Sequence, residues 1–97
     1  MNFTAIRYPL TVFYDASCPA CTSEMRALEH GDHERLELVD CSAPDFDETV
    51  LAGVGITRAD LMAQVHARDA HGRWLVASDA MEAAHRAVGL PTKRNPQ

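Results

Sequence analysis

The spacing of apolar and polar positions changes several times along this 97-residue chain, and each change marks an element. Leu10 to Tyr14, "LTVFY", is an unbroken β-branched and aromatic run behind Pro9, the pattern of a strand buried on both faces. From Cys21 the period becomes helical: Cys21, Met25 and Leu28 share one face, Glu24, Arg26 and Glu29 look away, and "HGD" at 30–32 supplies the stop. "RLELVDC", 35–41, returns to a strand pattern. A helix between two strands makes them parallel, joined by a right-handed crossover.

Residues 42–56 form a long connection punctuated by Pro44, Gly53 and Gly55, with Phe46 and Leu51 expected to plug into the core. Thr57 and Asp60 have the spacing of a capping box, which predicts a short helix through Ala63. The stretch 65–78 alternates on either side of the turn-forming "DAHG", so it reads as an antiparallel hairpin. Asp79, with Glu82 three residues on, is placed to cap a final helix whose Met81, Ala84, His85 and Val88 share a face, and Gly89 and Pro91 end it. The resulting order, β-α-β-α-β-β-α, predicts a minimal thioredoxin-like α/β domain with a central four-stranded mixed sheet. One domain is expected over 1–97, its core at about 10–89 and a tail at 90–97.

Charge and composition narrow the function. The formal net charge is −5 and the nine basic residues are scattered, which excludes the basic stripe of a nucleic-acid footprint. No stretch approaches the ~20 apolar residues of a membrane span, and "MNFTAIRYPL" lacks the pattern of a secretory signal. A cytoplasmic protein is the expectation. Three cysteines, an odd number, do not make a disulfide scaffold; in a reducing compartment a close pair is more often catalytic or metal-binding.

Cys18 and Cys21 are that pair. Cys18 falls at the start of the first predicted helix, where unsatisfied backbone N–H groups and the helix dipole favour thiolate over thiol, and Pro19 suits the first helical turn. The geometry predicts that Cys18 attacks a substrate disulfide and that Cys21, one turn on, resolves the mixed disulfide. The partner would be a protein or small-molecule disulfide or thiol, with an electron donor the sequence does not name. No cofactor and no metal are called for. Asp15 has two readings: a base for Cys21 in the resolving step, or a turn aspartate accepting backbone N–H groups.

Metal binding competes for the same cysteines, since Cys18, Cys21, His30 and His33 form a C-x2-C-x8-H-x2-H series. A ten-residue helix of ~15 Å would separate the two pairs, whereas zinc ligands lie ~2.0–2.3 Å from the metal. A metal or cluster shared by two protomers through Cys18 and Cys21 is the remaining version. Cys41 reads as an inert packed thiol, His85 as a hydrogen-bonded boundary histidine, Trp74 as core or covered edge, and His66 as pointing to solvent. The alternative to an enzyme is a non-enzymatic interaction module that uses the cysteine pair as a redox sensor.

"YDASCPAC", together with "VHARDAHGRWLVASDAMEAAH", resembles the DCC family of predicted thiol-disulfide oxidoreductases, whose signature is an aspartate, two residues, a cysteine, two residues and a second cysteine. The likeness runs from about Thr11 to Gly89, and Asp15, Cys18 and Cys21 match the signature. It implies a thioredoxin-like fold and thiol-disulfide exchange. Ala16 stands where members usually have glycine, a change worth about 1 kcal/mol if that position needs positive φ. "AQVHA" stands where thioredoxin and glutaredoxin carry a cis-proline.

Overall fold

The computed structural model describes residues 5–19, 23, 25, 26, 28 and 34–89. Cys21, Glu24, Glu29, the expected stop at 30–32, His30, His33 and the tail at 90–97 lie outside them. Four strands form the sheet: β1 (Leu10–Tyr14), β2 (Leu36–Asp40), β3 (His66–Arg68) and β4 (Trp74–Val76), in the order β2-β1-β3-β4. β1 and β2 are parallel, with Leu10 opposite Leu36 and Tyr14 opposite Asp40. β3 runs antiparallel to β1, and β4 antiparallel to β3. This is a mixed, thioredoxin-like α/β sheet, and the parallel pair is joined through helical turns at Pro19, Ser23, Met25, Arg26 and Leu28.

Because side chains alternate along a strand, β1 feeds two cores. Leu10 and Val12 are fully buried with Met25, Leu28, Leu36 and the alanines of helix α2 (Ser78–Ala87). Met25 and Leu28 thus keep the helical spacing read from the sequence. Phe13 points the other way, into Cys41, Leu51 and Leu61, with Phe46 and Trp74 packed around them. Its ring stacks on Trp74 with centroids 5.3 Å apart, and burying such a side chain contributes about 1.5–3 kcal/mol. Phe46 and Leu51 do plug the core from the long connection, which also holds a 3-10 turn at Glu48–Leu51 that the sequence pattern did not announce.

Helix α1 (Arg58–Ala63) starts with the expected capping box: Asp60 N–H donates to Thr57 Oγ1 at 3.1 Å, and Thr57 N–H donates to Asp60 Oδ2 at 2.9 Å. The start of α2 departs from expectation. Its cap is Ala77, at φ 54° and ψ −125°, with no side-chain hydrogen bond, so Asp79 lies in the first turn and is not the cap. The β4 chain has no residues to spare before α2, and Ala77 makes the bend while its N–H donates to Val65 O at 2.8 Å. Gly89, at φ 75°, closes the helix as its position predicted.

His66 also departs. It is buried, not solvent-facing: β3 lies between two strands, Trp74 packs edge-on at 6.3 Å, and the ring Nδ1–H donates to Gln64 O at 2.9 Å. His85 is buried on α2, where its Nδ1–H donates to Met81 O at 2.7 Å. Among the described residues no helix is long and apolar enough to cross a membrane.

Candidate functional site

In an open α/β sheet, chemistry collects beyond the carboxyl ends of parallel strands. Here β1 and β2 end side by side at Tyr14 and Asp40. The chain leaving β1 turns at once. Asp15 Oδ1 accepts the N–H of Ser17 at 2.9 Å and its hydroxyl at 2.5 Å, and the Cys18 N–H donates to Asp15 O at 3.1 Å. These bonds aim the chain into the helix, whose first described position is Pro19. Cys18 is left half-buried at the junction of turn and helix.

Asp15 therefore has the turn contacts that one of its two readings required. Cys21 lies outside the described residues. The φ of Ala16 is not positive, Ala77 being the only non-glycine residue with positive φ among those described, so alanine is carried there without that strain.

β2 repeats the same device and adds a bridge. Asp40 Oδ1 accepts the N–H and hydroxyl of Ser42 at 2.9 and 2.6 Å, and it also accepts the N–H of Ala16 at 3.1 Å. One carboxylate oxygen thus ties the end of β2 to the cysteine turn. Burial pushes the Asp40 carboxyl up, but the Ser42 and Ala16 bonds and the Arg58 charge outweigh it and hold the group below 3.8. Sequence reading missed this residue. The signal was present, because Asp15, Asp40 and Asp47 each stand two before a serine or threonine, and each accepts that residue's N–H and hydroxyl.

Cys41 follows on β2's far side. Its N–H donates to Tyr14 O at 2.7 Å, and its sulfur is completely buried in the second core. Burial and the neighbouring Asp40 charge push its thiol up to about 11, leaving it protonated near neutrality. Arg58 closes this side by donating from Nε to Cys41 O and from Nη2 to Ala43 O, both at 2.8 Å. Cys41 is packed into the second core, as the sequence suggested.

Ala16, Ser17, Pro19, Ser23 and Arg26 line an open cleft of about 320 Å³ next to Cys18. Among the described residues no group of three or more histidine, cysteine or acidic side chains could hold a metal ion. A profile of known proteins covers this whole arrangement: the DCC1-like thiol-disulfide oxidoreductases match residues 12–95. The chain belongs to the DCC1-like thiol-disulfide oxidoreductase family. That membership makes thiol-disulfide oxidoreductase chemistry, in general, the chemistry of this DCC1-like chain. No curated protein and no solved structure matches it.

Proposed function

We propose that this DCC1-like protein is a cytoplasmic thiol-disulfide oxidoreductase in which Cys18 attacks and Cys21 resolves. The observation that carries the reading is the placement of Cys18: half-buried, beyond the end of a parallel strand, at the entry to a helix, within a chain of this family. A thiolate at Cys18 attacks one sulfur of a disulfide, forming a Cys18 mixed disulfide and expelling the other sulfur as a thiolate that takes up a proton. The Cys21 thiolate then attacks the Cys18 sulfur, releasing the second thiol and leaving a Cys18–Cys21 disulfide. The substrate gains two electrons and the protein loses two, which a thiol or dithiol donor returns. Asp15, three residues before Cys18, is the candidate proton acceptor for Cys21 in the second step.

The two serine variants test the roles by failing differently. After incubation with oxidised glutathione, intact mass should show an adduct accumulating on Cys21→Ser, which attacks but does not resolve, and almost none on Cys18→Ser. Equal adduct on both variants, or on neither, sinks the assignment.

A further inference from the structure

Pro19, Ser23 and Arg26 stand at i, i+4 and i+7, so they share one helical face, and all three are exposed while Met25 and Leu28 are buried on the opposite side. That face forms one wall of the cleft beside Cys18, and Ala16 and Ser17 of the cysteine turn form the other. About 10 Å of helix rise separates Pro19 from Arg26, but a helical side chain leans back toward the N-terminus, so the guanidinium is carried toward the cysteine end. Arg26 is the only charged residue among the described residues lining the cleft. No described carboxylate pairs with it; the described ion pairs join Arg58 to Glu48 and Arg86 to Glu82.

A solvent-facing guanidinium with no described ion partner, in a cleft lined by the residues on either side of Cys18, has an obvious use. Its planar fork of donors matches a carboxylate in two parallel hydrogen bonds. The chain as a whole carries a net charge of −5, so its general field disfavours an anionic substrate and any attraction must be local. The volume, about 320 Å³, is at the small end of ligand clefts and suits a small molecule held by one end.

We propose that Arg26 is a specificity-determining residue that binds the carboxylate of a small anionic disulfide while Cys18 attacks its sulfur. The inference rests on the dithiol reading above and deepens it by naming the substrate class: carboxylated disulfides of the size of oxidised glutathione. The covalent step is unchanged. Cys18 sulfur bonds to one substrate sulfur, the substrate S–S bond breaks, and the departing thiolate takes a proton from water; Arg26 holds charge and exchanges no proton.

The test compares three disulfides of different charge on the reduced full-length protein: oxidised glutathione (anionic), bis(2-hydroxyethyl) disulfide (neutral) and cystamine (cationic). Second-order rates of protein oxidation are measured for wild type, Arg26→Glu and Arg26→Lys. In Arg26→Glu the ratio of the glutathione rate to the hydroxyethyl rate should fall about tenfold, and the cystamine ratio should rise, both effects shrinking as salt is added. Arg26→Lys, which keeps the charge but loses the paired donors, should recover only part of the wild-type ratio. Ratios that do not move with the charge at this position overturn the carboxylate contact while leaving the dithiol reading intact. Absence of reaction with all three disulfides in the wild-type protein overturns the dithiol reading, and this inference with it.

Discussion

Cys18 and Cys41 sit in different surroundings, the first half-buried at the entry to a helix and the second fully buried. Cys41 is fully enclosed by Phe13, Leu51 and Leu61, and its thiol is pushed up to about 11. It should resist alkylation of the native protein at neutral pH and react once the chain is unfolded, which mass spectrometry of labelled peptides will show. Cys41→Ala should leave disulfide exchange intact and cost about 1–2 kcal/mol of unfolding free energy for the cavity it opens. Loss of exchange in a folded Cys41→Ala protein would give Cys41 a part in the chemistry. This residue was legible because a cysteine ending an apolar strand is packed more often than not. His66 was misread for a related reason: alternation assigns it a polar face, but it does not reveal that β3 is an inner strand with Trp74 covering that face.

Among the elements, the β3–β4 hairpin depends on one carboxylate. Asp69 is buried; its Oδ1 accepts the N–H groups of His71 and Arg73, both at 2.9 Å, and its Oδ2 accepts Arg7 N–H at 3.2 Å. The same turn is pinned again where Ala70 N–H donates to Arg7 O at 2.9 Å. Asp69 thus shapes the turn and fastens it to the segment entering β1. Asp69→Ala strands three backbone donors and should cost about 3 kcal/mol or more, whereas Asp69→Asn keeps an acceptor for the turn and should cost less, by urea unfolding. Equal stability of the alanine variant and wild type would remove Asp69 from this role. The hairpin itself was legible from "DAHG" and flanking alternation, and the α1 capping box from Thr57 and Asp60. The tether to Arg7 was not, because no local pattern announces a bond across 62 positions. The cap of α2 was misassigned because Asp79 has a capping side chain, while the bend fell on Ala77, whose type gives no sign of it.

For the whole molecule, the order of the strands and of the two later helices followed from period changes, since each of those switches fell near a boundary among the described residues, whereas the expected start at Cys21 and stop at 30–32 of the first helix lie outside them. Of the candidate site, Cys18 and Asp15 were legible from motif spacing, whereas Asp40 and Arg26 are drawn in only because β2 and the crossover helix lie beside the cysteine turn. Buried Asp69 and half-buried Asp40 also bear on the response to acid. Burial pushes Asp69 up, but the bonds from Arg73, Arg7 and His71 outweigh it and hold it below 3.8, as the bonds to Asp40 do there. A carboxylate lowered in the folded state contributes stability that is present above its unfolded value and lost as pH falls through the folded one. Unfolding midpoints should therefore hold steady down to about pH 4 as far as these groups are concerned, then drop. The acid-side slope should be shallower in Asp69→Asn, measured by circular dichroism in urea at stepped pH. An unchanged slope would mean that other groups govern acid unfolding.

The bridge from Asp40 to Ala16 also bears on where the chain tolerates extra length. One oxygen serves both the first residues after β2 and the turn before Cys18, so a residue inserted between Asp40 and Ser42 would drag the cysteine turn out of register. Farther along the same connection, Gly53 and Gly55 are exposed at positive φ with open space around them. Related chains that differ in length between the second and third strands should carry their insertions at that glycine pair, and a purification tag or reporter grafted there should leave the cysteine turn, which is bonded to Asp40 before the loop, undisturbed.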